Sequence, residues 1–183
     1  MKPPTARPQA PTATGFLLTG TIGVGKTSLA ERISEVLHAR GLRHGLLDLD
    51  WLGQVYPPLR PEEPFDLSLS LENLGAVVSN FRARGIERFV IAATITSAKE
   101  LSALRAALPG VHLTVGLVIA PAASIRRRIE RRDTGRLRDD FLARTIPLAE
   151  AIAGAGMEDI VIENPDGSLE AASAQALEYL HWH

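Results

Sequence analysis

Short apolar runs alternate with longer stretches of mixed character along most of this chain. Five runs, at 15–19, 43–48, 88–93, 113–119 and 159–162, are apolar at successive positions and β-branched in places. Strands buried on both faces, as in a parallel sheet, carry that pattern. Helical spacing of apolar residues fills 26–40, 67–84, 98–108, 122–132, 138–153 and 169–181. Gly41, Gly85 and the Pro109-Gly110 pair mark helix ends. Alternation of this kind predicts a three-layer α/β fold, a five-stranded parallel sheet with helices on both faces and right-handed crossovers. A single domain is expected over 15–183. Residues 1–14, with Pro3, Pro4, Pro8 and Pro11 and little that is large and apolar, read as a flexible tail.

The turn after the first run carries chemistry. Gly20-Thr21-Ile22-Gly23-Val24-Gly25-Lys26-Thr27-Ser28 matches G-x-x-x-x-G-K-[ST], with Gly20, Gly25, Lys26 and Thr27 at the fixed positions. An apolar strand leads in and a helix follows, the context this loop needs. Glycines let consecutive backbone N–H groups converge on one anion, and the helix N-terminus adds partial positive charge. Lys26 is expected to reach the β- and γ-phosphates of a bound nucleotide, and the Thr27 hydroxyl to hold Mg²⁺. The fold expected is therefore that of the P-loop NTPases. The third run ends in Ala92-Ala93, with no acid where a Walker-B aspartate stands in motor ATPases and switch GTPases. Asn164-Pro165-Asp166 is not the N-K-x-D signature that reads guanine, so ATP is the expected donor.

Three further clusters bear on what lies beyond the phosphates. Asp48-Leu49-Asp50 follows the second run, and ligands of parallel sheets sit beyond the carboxyl ends of the strands. Residues two apart on an extended segment point the same way, so one carboxylate is expected to serve the metal's water shell and the other to face an acceptor. The plainer alternative has Asp50 capping a turn and Asp48 pairing with a surface arginine. Between 126 and 138 lie seven arginines, with Glu130 and Asp133 the only acids inside that window. Ile125 and Ile129 form a buried stripe, and Arg128 and Arg132 on its flank are the arginines expected to lean toward the nucleotide, under a lid hinged at Gly135. A solvated helix face accounts for several of the others. The connection 51–66 holds four prolines and the aromatics Trp51, Tyr56 and Phe65, which favours an acceptor-binding loop over one that merely packs on the body. Its one cation is Arg60, against Glu62, Glu63 and Asp66, so a neutral or cationic hydroxyl compound suits it better than a nucleoside monophosphate. Arg82, Arg84, Asn73 and Asn80 on the next helix are further candidates for that pocket.

The P-loop, the Asp48-x-Asp50 pair one helix later and the arginine-rich segment together resemble the small P-loop kinases, such as shikimate kinase, adenylylsulfate kinase and chloramphenicol phosphotransferase. The resemblance runs in element order from about residue 15 to the C-terminal end, and only the P-loop is strictly specific. It implies a nucleoside- and shikimate-kinase-like fold that transfers the γ-phosphate of Mg-ATP to a small-molecule hydroxyl. By position Asp48 takes the metal role and Asp50 the acceptor or base role, an order that is reversed in some related kinases. The loop after the last strand, Asn164 to Gly167, then lies against the base, largely through its backbone. Two rivals stay open: an ATP-binding regulatory protein without transfer, and a nucleoside monophosphate kinase.

Composition narrows the partners. The 183 residues carry a net charge of −1, which gives no general attraction to nucleic acid or anionic lipid. No cysteine is present, excluding disulfides, thiolate metal sites and cysteine nucleophiles. No apolar run is long enough to span a bilayer and no signal-peptide core opens the chain, so a cytoplasmic monomer or homodimer is expected. The histidines show no metal-ligand spacing.

Overall fold

The computed structural model describes residues 13–58 and 65–182. In chain order the elements are β1 (Ala13–Thr19), α1 (Lys26–Ala39), β2 (Gly45–Asp48), α2 (Leu49–Leu52), α3 (Leu67–Arg82), β3 (Arg88–Ala92), α4 (Ala98–Ala107), β4 (Val111–Ile119), α5 (Ala122–Arg132), α6 (Gly135–Ala155), β5 (Ile160–Glu163) and α7 (Leu169–Leu180). The five strands form one sheet in the order β2-β3-β1-β4-β5. Every pairing is parallel.

Alternation within each strand builds two cores. On one face Phe16, Leu18, Val90, Val118 and Ile162 pack against Leu29, Ile33 and Leu37 of α1 and Ala172, Ala176 and Leu177 of α7. On the other, Leu17, Leu47, Phe89, Ile91 and Val115 meet Leu71, Leu74 and Val78 of α3 and Leu101 and Leu104 of α4. Both faces are covered, which is why the strands read as unbroken apolar runs.

Register places the site. Leu18 and Asp48 both lie opposite Ala92 of β3, and Thr19 lies opposite Leu117 of β4. The loops after β1, β2, β3, β4 and β5 thus leave the sheet at one end. From β1 the chain moves to one edge through α1, and from β3 to the other side through α4, so the switch of direction falls beside the loop after β1.

Three expectations need correction. Ala13 and Thr14 belong to β1 rather than to a tail: Thr14 N donates to Glu87 O, and Ala13 is buried opposite Val111. Small residues extend a strand wherever neighbouring backbone is free to pair, and composition cannot show that neighbour. Residues 1–12 lie outside the described residues. The helix expected at 138–153 begins three residues earlier at Gly135 and runs to Ala155, carrying Pro147 within it. Asp50 does not sit on an extended segment. The Asp48 carboxylate accepts from Asp50 N and caps α2, so the chain turns helical directly after β2.

Candidate active site

The loop between β1 and α1 is shaped by glycines. Gly25 has φ +100, and a Cβ there would stand 2.5 Å from Asn164 Nδ2. Gly20 has φ +150, and a Cβ would stand 2.5 Å from Val118 O of β4. The loop therefore lies hard against β4 and the β5–α7 connection, in a conformation that side chains disfavour. Val24 and Thr21 are buried, and Ile22 packs against the α1 core. Ser28 is exposed in the first turn of α1.

Lys26 curls back under this loop. Its Nζ donates to Gly20 O at 3.0 Å and Thr21 O at 3.1 Å, and the side chain is buried. Burial pushes its pKa down from 10.5 to about 8, against the pull of Asp50 and Asp48 in the other direction. Beside it, Thr27 Oγ1 donates to Asp48 Oδ2 at 2.7 Å, and Asp48 Oδ1 accepts from Asp50 N at 2.9 Å. The two aspartates are joined through the cap rather than side by side. Desolvation raises the Asp50 pKa above the ordinary carboxylate value, while Lys26 opposes the shift. Asp50 remains accessible from the cleft. Lysine, hydroxyl and two carboxylates thus converge where a polyphosphate bound by the loop would end.

The two flanking arginines of α5 do different work. Arg128 Nη1 donates to Val24 O and its Nη2 to Asn164 O, both at 2.8 Å, with Asp166 Oδ1 at 3.2 Å from Nη2. Asn164, itself buried, donates from Nδ2 to the same Val24 O at 2.9 Å. Together they bolt the P-loop to the loop after β5. Asp166 also accepts from Arg127, which holds its carboxyl below the usual range. Arg132 instead donates from Nε to Asp133 Oδ2 at 2.9 Å and lies over the Phe141 ring, 5.6 Å from its centroid. Its charge is felt by both Lys26 and Asp50.

A protein-family profile described as an AAA domain matches residues 16–151. The chain belongs to this AAA domain family. No curated protein matches the sequence. Among solved structures, an unliganded sugar kinase from Janibacter sp. HTCC2649 is similar at 18% identity and TM-score 0.67, over 92% of this chain and 95% of that one. A Mycobacterium tuberculosis APS kinase in complex with AMPPNP and APS matches at 22% identity and TM-score 0.59, over 93% and 99%. A shikimate kinase from Bacteroides thetaiotaomicron matches at 16% identity and TM-score 0.61, over 92% and 98%. The fold of this AAA domain protein is that of the P-loop small-molecule kinases.

Seen on that fold, other candidate residues sort by position. Trp51 within α2, Tyr56 after it and Phe65 just before α3 are exposed, Trp51 by 74% and Tyr56 by 83%. Arg60 and the rest of 59–64 lie outside the described residues. Asn73 spends one N–H on the fold, its Nδ2 donating to Leu52 O at 2.7 Å and tying α2 to α3. Arg82 donates to Pro109 O and Arg84 to Asn80 O, at the end of the sheet opposite the P-loop. A helix running antiparallel to the strands carries its last turn away from the site, so neither arginine nor Asn80 reaches the acceptor side. The arginine segment folds as the end of α5 and the start of α6, joined at Asp133 and Thr134, and Gly135 has φ +58 at that joint. Its charges are balanced locally: Arg126 pairs with Glu130, Arg136 with Asp140 and Arg138 with Asp139. Glu130 and Asp133, the acids inside the arginine window, do pair with Arg126 and Arg132, whereas sequence reasoning missed Phe141 and Asp166 as partners of these arginines. No local clue was available for either.

Proposed function

We propose that this protein is an ATP-dependent kinase that moves the γ-phosphoryl group of ATP to a hydroxyl of a small molecule. The observation that carries this reading is the meeting of Lys26, Thr27, Asp48 and Asp50 at the open end of the P-loop. Positioning and electrostatics supply most of the rate in phosphoryl transfer, and those four groups provide both. Backbone N–H groups of 20–28 cradle the phosphates. Lys26 exchanges its loop carbonyls for β- and γ-phosphate oxygens, and Arg132 faces the charge that spreads over the transferred group.

A hydroxyl and a carboxylate in contact are hard oxygen donors of the kind Mg²⁺ accepts alongside phosphates and water, so Thr27 and Asp48 fit that ion. Bound there, Mg²⁺ would neutralise β- and γ-phosphate charge. Asp50 orients the acceptor O–H and takes its proton as the oxygen–phosphorus bond forms and the bond from phosphorus to the β,γ-bridging oxygen breaks, releasing ADP. A raised carboxyl pKa suits a group that must accept a proton near neutral pH.

Charge also constrains the acceptor. Segments 45–58, 65–80 and 91–99 leave or flank the strand ends beside Asp50, and their one cation among the described residues is the exposed Lys99 at the start of α4. Against it stand Asp48, Asp50, Asp66 and Glu72. A neutral or cationic hydroxyl compound is therefore favoured over an acid, with Trp51 and Tyr56 as flat surfaces for it. ATP as donor places the reaction in the cytoplasm. The test is acceptor-dependent ADP release across a panel of neutral, amino and acidic polyols, with the Lys26→Ala variant as the blank. A reading without transfer would show the same slow ADP release for every compound.

A further inference from the structure

Arg132 is the one flanking arginine whose position needs explaining. Arg128 is held by backbone carbonyls on both terminal nitrogens. Arg132 has neither terminal nitrogen bonded among the described residues, and only its Nε is taken, by Asp133. A long side chain more than half exposed, as this one is at 58%, ordinarily samples many rotamers. Here it lies over a ring.

That ring is anchored from the far side. Phe141 stands in the second turn of α6, half-buried and packed against the α1 core. Its carbonyl accepts from Thr145 Oγ1 at 2.8 Å, and the Thr145 carbonyl accepts from Thr21 Oγ1 at 2.7 Å. Thr21 is a buried P-loop residue whose hydroxyl points away from the anion cradle, toward α6. One helical turn of α6 therefore runs from the P-loop to the platform under Arg132.

We infer that Phe141 is a positioning residue for Arg132, holding its guanidinium fork toward the γ-phosphate, and that Thr21 and Thr145 tie this platform to the P-loop. The ring face attracts the cation, and Asp133 fixes the rotation about the guanidinium axis through Nε. Both terminal nitrogens then stay available for two phosphate oxygens, the geometry a guanidinium recognises best. Because the platform is bonded to the same loop that grips the phosphates, arginine and phosphate share one frame. The inference rests on the proposed kinase reading, in which Arg132 meets the γ-phosphate.

The experiment needs no acceptor. Calorimetry with Mg-ADP and with Mg-AMPPNP, which keeps a third phosphate, isolates the γ-phosphate contribution as a ratio of affinities. In wild type AMPPNP binds more tightly than ADP, and Arg132→Ala lowers that preference. Phe141→Leu should lower it by about 5-fold, as expected for loss of a cation–π contact at a half-exposed site, and leave ADP affinity unchanged. Phe141→Tyr keeps a ring and should behave as wild type. Phe141→Met, which fills the space without a ring, should match Phe141→Leu and guards against a packing defect. In an Arg132→Ala background, Phe141→Leu should add nothing. An unchanged ratio in Phe141→Leu alongside a loss in Arg132→Ala overturns the platform and leaves the kinase reading standing. An unchanged ratio in Arg132→Ala removes the γ-phosphate contact itself, and the platform with it. Equal losses in Phe141→Leu and Phe141→Tyr overturn the role of the ring.

Discussion

The nucleotide side and the acceptor side of this cleft are built on opposite plans. On the nucleotide side, Val24 O takes donors from both Arg128 and Asn164, Lys26 is folded into the loop, and Asn164 is 2% exposed. On the acceptor side, Trp51 and Tyr56 stand almost entirely in solvent, and α2 is held by the Asp48 cap and by Asn73. A cradle assembled before its ligand arrives loses little conformational freedom on binding, whereas exposed aromatics become useful only once a ligand covers them. Under the proposed function, the phosphate tail meets preformed backbone and the acceptor a surface completed when it binds.

Removing the cation at the junction of the two sides should have the largest effect. Lys26→Ala is expected to lower transfer by about 1000-fold or more, since charge neutralisation on the transferred group is the main source of rate. The same variant should melt no lower than wild type. Burial holds Lys26 below its unfolded pKa, so its charge opposes folding fully below pH about 8, and that opposition fades as pH climbs from there toward 10.5. A lower melting temperature would show that the lysine supports the apo loop instead.

Asp50→Asn separates the two sides. Turnover should fall by about 100-fold or more, the usual scale of general-base loss, while ATP affinity stays within about 2-fold. Loss of ATP affinity with turnover intact in the saturated enzyme would move Asp50 to the nucleotide side. Asn164→Ala tests the other plan. It leaves Val24 O with one donor and loosens the loop, so ATP affinity should drop by about 10-fold with little change in acceptor KM. Trp51→Ala should do the reverse, raising acceptor KM by about 5-fold and leaving ATP untouched. If both variants moved both constants equally, the division between the sides would be wrong.

How much of this was legible beforehand follows from the range over which each cause acts. The P-loop is local: Gly20, Gly25, Lys26 and Thr27 are specified within one turn of chain, and the helix and strand around them stand where the apolar pattern implied. The location of Asp48 and Asp50 followed from a strand end, but their arrangement did not, because a four-residue helix capped by Asp48 replaces the extended segment. The arginines show the limit most clearly. Arg128 and Arg132 share one flank of α5, and only Asp133, next in the chain to Arg132, distinguishes them locally. Arg128 is claimed by Val24, 104 residues away, and by Asn164, 36 residues away. Tertiary partners at that distance leave no mark on local spacing. Ala13 and Thr14 join β1 for the same reason, their partners being on β4 and at Glu87.

Whether a preformed loop and a buried lysine grip a triphosphate is decided by calorimetric titration with Mg-AMPPNP near pH 8. Lys26 is about half-protonated there, and phosphate contact restores its full charge. One saturable site per chain is expected, with net proton uptake seen as a dependence of the heat on buffer ionisation, and with affinity that weakens as pH rises past 8. Uptake should vanish in Lys26→Ala. Absence of binding, or binding with the same proton balance in both proteins, would contradict that grip.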